Sequence, residues 1–261
     1  MEQTRQDSPP VTDDLLRTAL DIGAGLLRSG GEVKRVEDTI TRICTCHGAS
    51  HVEVFAITSL IIASVRMPDG SYSCQTRRIL NSGIDLHKLD LYNSLSRDIC
   101  GGRITLIEAQ ERLRVIKKST PYPGWLRFVG ALLGTAGFTI FFGGTLLDAI
   151  AAALIGCIMM MLELIRPRYV NSMAQAIISS FVGGILSILV MRAGLGDNVD
   201  KIMIGTIMIL IPGLTIGTSI RDMLNGDTIA GFVRLLQSVL LATIIALGYG
   251  AAILLLGGLL A

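Results

Sequence analysis

Residues 202–220 read IMIGTIMILIPGLTIGTSI, and residues 221–227 continue RDMLNGD. The first 19 of these carry no charge, close to the ~20 apolar residues a helix needs to cross the hydrocarbon core of a bilayer. Pro212-Gly213 stands eleven residues into the run, near mid-bilayer depth. Pro212 lacks a backbone donor, so the carbonyl of Met208 loses its helical partner, and Gly213 permits an unwound turn. Groups freed this way persist in hydrocarbon only where protein or a water-filled cavity satisfies them. A span broken here offers the carbonyls of Met208 and Ile209 to a cation or ammonium. It offers the N–H groups near Thr215 and Ile216, with the Thr215 and Thr218 hydroxyls, to a carboxylate. That combination suits a zwitterionic substrate; a structural proline kink is the other reading.

Outward from this run the same pattern repeats. Phe128–Leu147 is 20 residues without a charge, Val170–Met191 is 22 and Leu235–Ala261 is 27. Thr145–Ile165 follows the first run so closely that Gly143 and Gly144 must form the turn, with Asp148 and Glu163 near its two ends. Five spans are therefore expected. Gly130 with Gly134, and Gly213 with Gly217, have the small-xxx-small spacing that lets helices approach closely.

Composition agrees with a membrane protein. Hydrophobic residues make up 51% of the 261-residue chain and charged residues only 17%, against roughly a quarter charged in ordinary globular chains. Residues 1–120 hold 16 Lys/Arg and 15 Asp/Glu, and residues 121–261 hold 7 and 6. This divides the chain into an N-terminal domain, 1–120, and a transmembrane domain, 121–261. A net charge of +2 without like-charge blocks argues against a nucleic-acid partner. Met1–Asp14 is polar and acidic, so no cleavable signal peptide is expected. Five cysteines without framework spacing point to reduced thiols in the cytosol. Cys44, Cys46, His47 and His51 are near one another in sequence, but Gly48 should end the helix carrying the first three, and no metal site or cofactor is expected.

The cations set the expected orientation, because cytoplasmic loops are enriched in Lys and Arg. Arg112, Arg114, Lys117 and Lys118 precede the first span, Arg166 and Arg168 follow the second, and Arg221 and Arg234 follow the fourth. All fall on one side. The opposite side has only Arg192 and Lys201, offset by Asp197 and Asp200. The N-terminal domain is thus expected in the cytoplasm and the C-terminus outside, in the cytoplasmic (inner) membrane.

The first 120 residues read as α+β. Leu16, Ala19, Gly23 and Leu26 recur at helical spacing, and Ser29 with Glu32 forms a capping-box pair that restarts a helix bearing Val33, Val36, Ile40 and Ile43 on one face. Extended segments follow at His51–Ile57, Leu60–Met67 and Ser71–Arg77, the last two joined by Pro68-Asp69-Gly70. Asp85 is expected to cap one helix, and Thr105 with Glu108 another. The fold class expected is an α+β cytosolic domain followed by an all-α polytopic membrane domain of five transmembrane helices.

Arg221, Asp222, Asp227 and Arg234 form a compact polar segment after the fourth span. Two acids and two arginines can pair across a turn as a gate that opens when a pair breaks or a carboxylate takes a proton; a solvated loop is the alternative. Asp148 and Glu163 are the next candidates for proton coupling. No Gly-x-Ser-x-Gly turn, phosphate loop or His-Glu-x-x-His helix is present, so no catalytic residues are assigned and the gradient, not a nucleotide, is the expected energy source. Five spans without a second copy resemble one half of a transporter; a membrane-anchored sensor is the alternative.

Ser29-Gly30-Gly31-Glu32-x-x-Arg35-Val36-Glu37-Asp38-Thr39, Thr76-Arg77-Arg78 ahead of Gly83-Ile84-Asp85-Leu86, and Ile211-Pro212-Gly213 followed by Arg221-Asp222, Gly226-Asp227, Gly231 and Arg234 resemble the threonine/serine exporter (ThrE) family over nearly the whole chain. The likeness is greatest to its short, split-type members. It implies export of small metabolites, threonine and serine for some members and succinate-type dicarboxylates for the split type. It also implies a separate, smaller polytopic membrane subunit, a homo-oligomer being the other arrangement.

Overall fold

Two compact units divide the chain, Met1–Pro121 with Leu214–Leu236 and Tyr122–Gly213 with Gln237–Ala261. The computed structural model describes residues 10–119, 122–165 and 171–259. Arg166 and Arg168, Val170 at the start of the expected third span, and Ala261 lie outside the described residues.

In the first unit, helix α1 (Pro10–Arg28) is amphipathic: Asp13, Asp14, Arg17, Asp21 and Arg28 stay out of the core, while Leu15, Leu16, Ala19, Leu20, Ile22, Leu26 and Leu27 are all buried. A wide apolar stripe of that kind packs against a core while the charged edge stays at the surface. The chain turns at Gly30, whose φ of +90° an L side chain rarely adopts. Helix α2 (Val33–Cys46) then buries Val33, Val36, Ile40 and Ile43, the face expected from the spacing.

Strands β1 (His51–Ile57), β2 (Leu60–Arg66) and β3 (Tyr72–Arg78) form one antiparallel sheet in the order β1-β2-β3. The register runs His51 opposite Arg66 and Leu60 opposite Arg78. Ile61, Ala63 and Val65 alternate into the core, as a half-buried strand requires.

Asp85 caps α3 (Leu86–Cys100) by accepting the Lys88 N–H at 2.9 Å. Thr105 and Glu108 form a complete capping box at the start of α4 (Leu106–Lys118). Asp21 on α1 joins β3 and α4, 2.9 Å from Arg77 Nε and 2.7 Å from Lys117 Nζ. Burial opposes its ionisation, but hydrogen bonds from Lys117 and Arg77 outweigh that and hold the carboxyl below the usual range.

One local expectation fails. Ser29 and Glu32 do not form a capping box: Glu32 itself occupies the N-cap of α2 and makes no side-chain cap there. A carboxylate from elsewhere in the chain takes that role.

The second unit contains α5 (Gly124–Phe141), α6 (Leu146–Ile165), α7 (Ser172–Arg192), α8 (Val199–Met208) and the latter part of α10 (Thr228–Leu256). Gly143, at φ +88°, makes the tight α5–α6 turn. Gly205 on α8 lets that helix meet α5 backbone to backbone, since an added Cβ would lie 2.8 Å from the Thr135 carbonyl. By contrast, Gly130, Gly213 and Gly217 face open space, so the close helix contacts do not use the glycine pairs that spacing singles out.

Helices α5, α6, α7 and α10 are each long and apolar enough to cross a membrane, and α8 with α9 (Gly213–Leu224) makes a fifth if the interrupted pair is one span. Leu133, Phe141, Ile150 and Leu254 are 64%, 78%, 52% and 88% exposed. Such side chains facing outward around a helical bundle are placed for lipid rather than water. The interior hydroxyls bond to their own helices or to one another: Thr135 and Thr139 donate to carbonyls four residues back, and Tyr249 donates to Thr206 at 2.9 Å.

Candidate functional site

The polar segment at the end of α9 and start of α10 packs, within the first unit, onto the N-terminus of α2. Asp222 is fully buried and its Oδ1 accepts the backbone N–H of Val33 at 3.0 Å. The first N–H groups of a helix have no partner inside it, and a carboxylate there also meets the positive end of the helix dipole. Asp222 Oδ2 lies 3.0 Å from Arg234 Nη1. Arg234, 8% exposed, donates to the Gly31 carbonyl at 3.3 and 3.4 Å. One arginine from α10 therefore holds both the carboxylate and the turn that precedes α2.

Around this buried pair lies a second, wetter layer. Glu32 Oε1 accepts from Arg221 Nη1 at 2.5 Å and lies 3.7 Å from Arg35. Asp227 directly precedes α10, its N–H bonded to the Asp222 carbonyl at 2.9 Å. Asp227 Oδ2 is buried and has no hydrogen-bond partner among the described residues. Burial raises the Asp227 carboxyl above its ordinary value, Lys34 opposing and Asp38 adding to the shift. Glu37, whose Oε1 accepts the Ala56 N–H at 2.9 Å, is also raised, first by burial and further by Asp227. The packing that assembles the cluster needs Gly231, because a Cβ there would lie 2.6 Å from the Ser219 carbonyl and 2.9 Å from the Met223 nitrogen.

The break itself is built as the proline dictates. Helix α8 ends at Met208, Leu210 and Ile211 both donate to the Ile207 carbonyl, and the Gly213 N–H turns back to Ile211 at 2.8 Å. Among the described residues no backbone N–H bonds to the carbonyls of Met208 or Ile209. Thr215 and Thr218 belong to the other compact unit, where the Thr218 hydroxyl donates to the Thr215 carbonyl at 3.0 Å.

Asp148 and Glu163 mark opposite ends of α6. Asp148 is fully buried and accepts four N–H bonds: Asp197 N at 2.7 Å and Asn198 N at 2.9 Å on Oδ1, Thr145 N and Asn198 Nδ2, both at 2.9 Å, on Oδ2. It ties the α5–α6 turn to the α7–α8 loop, and its acceptor positions are filled by fixed donors. Glu163 stands at the wall of a cavity of about 580 Å³ within the second unit.

The Ser29–Thr39 stretch and the Arg221–Arg234 stretch thus meet in one site. ThrE, described as "Putative threonine/serine exporter", matches residues 17–256. The chain belongs to the ThrE family. Two relatives of this ThrE chain differ in how much of their length it spans. A Mycobacterium tuberculosis protein named "Probable threonine/serine exporter" is 22% identical over 91% of the chain, which spans 45% of that relative's length. A Klebsiella aerogenes protein named "Probable succinate transporter subunit YjjP" is 24% identical over 90% of the chain and 89% of its own length. No solved structure matches the chain. With its apolar helices, this ThrE chain is a multi-pass membrane protein.

Sequence reading named Arg221, Asp222, Asp227 and Arg234 but missed their partners, the Gly31 carbonyl, Glu32, the Val33 N–H and Glu37. The available signal was that both stretches carried the family resemblance; nothing local said that they touch.

Proposed function

We propose that this chain is a subunit of a secondary exporter that moves small metabolites, threonine or serine first among them, out of the cell across the cytoplasmic membrane. The observation that carries the reading is the interruption between α8 and α9, where the carbonyls of Met208 and Ile209 are without backbone donors among the described residues. Such interruptions are where transporters coordinate substrates and ions. Met208, Pro212, Gly213, Thr215 and Thr218 are its substrate-pathway residues. Arg221, Asp222, Asp227 and Arg234 are its gate, and the proton that drives the cycle is exchanged at Asp227 or Asp222, where burial and cations act in opposite senses. Asp148 holds one end of the bundle closed. The N-terminal domain faces the cytoplasm, in keeping with the cations that flank the spans. A smaller polytopic subunit completes the pathway, as the word "subunit" in the Klebsiella aerogenes relative's name invites.

That same name favours a second reading, a dicarboxylate substrate. The test is efflux from vesicles containing this chain and its candidate partner, preloaded with labelled threonine, serine or succinate, with and without a pH gradient. Gradient-stimulated efflux of threonine or serine is expected. Efflux of succinate alone selects the second reading, and no efflux of any of the three returns the chain to a membrane sensor.

A further inference from the structure

The β3–α3 loop, residues 79–85, is apolar where a surface loop is normally polar. Leu80 and Ile84 are 79% and 44% exposed, and Leu86, which opens α3, is 60% exposed. Three large aliphatic side chains between residues 80 and 86 make a patch rather than scattered surface leucines. Cations frame it. Arg78 precedes the loop and Lys88 follows it. The Arg28 carbonyl accepts the Gly83 N–H at 2.9 Å, and Lys88 Nζ reaches the Lys117 carbonyl at 3.5 Å, which brings the end of α4 with Lys118 alongside. Arg77 and Lys117 are paired with Asp21. Arg28, Arg78 and Lys118 are exposed, and among the described residues none of the three joins an ion pair. The nearby acids are Asp85, which accepts the Lys88 N–H, and the exposed Asp90, so the surface around the loop is net positive.

The loop belongs to the end of the first unit from which the chain runs into apolar helices. Its Asp85 N–H donates to the Ser29 carbonyl at 3.1 Å, and a Cβ at Gly30 would lie 3.1 Å from the Gly83 carbonyl oxygen. The next residue, Gly31, is the one whose carbonyl Arg234 grips from the start of α10. Helix α10 continues unbroken to Leu256 and is long and apolar enough to cross a membrane. Helix α4 ends at Lys118, and α5, another membrane-length helix, begins at Gly124, a connection reaching at most about 20 Å.

We propose that the β3–α3 loop is a lipid contact: Leu80, Ile84 and Leu86 enter the headgroup–acyl boundary of the bilayer, and Arg28, Arg78, Lys88 and Lys118 meet anionic phospholipid headgroups. Apolar side chains flanked by Lys and Arg hold a segment to an anionic surface because apolar burial and charge attraction add. A protein partner burying this patch would also have to supply acids for the cations, whereas a bilayer leaves their heads at the wetted headgroup level. Through Gly30 the loop packs against the turn that Arg234 holds, so the lipid contact and the buried polar cluster share one backbone segment. The inference rests on the membrane character of the chain and not on which solute it moves.

The test places the single tryptophan of the chain in the loop. Leu80→Trp in a Trp125→Phe background is reconstituted as the full chain in nanodiscs of phosphatidylcholine, with and without phosphatidylglycerol, whose acyl chains carry bromine. Bromine quenches a tryptophan that enters the lipid. In the same background Leu247→Trp, at a position of α10 that is 68% exposed, calibrates full quenching, and Tyr72→Trp, at the far end of β3, calibrates none. Leu80→Trp should be quenched toward the Leu247→Trp level when phosphatidylglycerol is present. Arg78→Gln with Lys88→Gln, or raised salt, should cut that quenching at least about twofold. Quenching no greater than that of Tyr72→Trp in a monodisperse chain overturns the contact. A blue-shifted but unquenched signal also overturns it, because protein then covers the loop, whether other helices of this chain or another subunit. Quenching that ignores phosphatidylglycerol, salt and the double glutamine variant overturns the role of the cations.

Discussion

The Asp222 carboxylate caps helix α2 by accepting the Val33 N–H at 3.0 Å across 189 residues of sequence. An N-cap is normally supplied by the residue just before the helix; here that residue, Glu32, turns to Arg221 instead. The arrangement makes the start of α2 depend on where the α9–α10 turn sits, and ties the capping charge to Arg234.

Removing that charge should separate cap from gate. Asp222→Ala strips both the cap and the partner of a buried arginine, a loss on the order of 3–5 kcal/mol, so the variant should be scarce or aggregated on size-exclusion chromatography. Asp222→Asn keeps an oxygen for the Val33 N–H, remains abundant, and should retain slow downhill exchange while losing stimulation by a pH gradient. An Asn variant that responds to the gradient like wild type removes Asp222 as the coupling group.

Asp227 yields a pH prediction of definite sign. Its folded pKa is raised above the ordinary 3.8, chiefly by burial. Stability from this group is therefore fully present below about pH 3.8 and is lost as pH rises through the folded value. Asp227→Asn should raise the thermal midpoint of the full chain in detergent at pH 7–8, with the gain shrinking as pH falls toward 4. A gain independent of pH, or a lower midpoint at pH 8, would contradict the buried-carboxylate account.

The interruption at Pro212-Gly213 can be mended. Pro212→Ala with Gly213→Leu restores the donor for Met208 and the propensity for helix. Export should be abolished while the protein remains inserted and abundant. Lower abundance with unchanged transport per molecule is the signature of a merely structural kink.

Orientation is read with a reporter active only outside the membrane. Fusions after Lys118 and Asn225 should be silent, and a fusion after Asp197 active. Silence after Asp197 would overturn the arrangement drawn from the cations.

Much of this chain is determined by sequence because its causes are local. Uncharged runs of membrane-spanning length, the Gly143 turn between the first two spans, the Asp85 cap, the Thr105–Glu108 box and the β1 boundaries all follow from residues within a few positions of one another. Pro212 likewise announces the end of α8, since a missing donor acts four residues back. The same local reasoning misplaces the cap of α2, because Ser29–Glu32 has the right spacing but Glu32 finds a stronger partner in Arg221 and Asp222 supplies a better-placed charge. It also cannot say that Arg234 grips the Gly31 carbonyl, that Asp148 spends its acceptors on two loops, or that Arg127 and Glu163 line one cavity. Those are meetings between helices, decided by how side chains fill space at close approach, where Gly205 and Gly231 admit a backbone and larger residues would not.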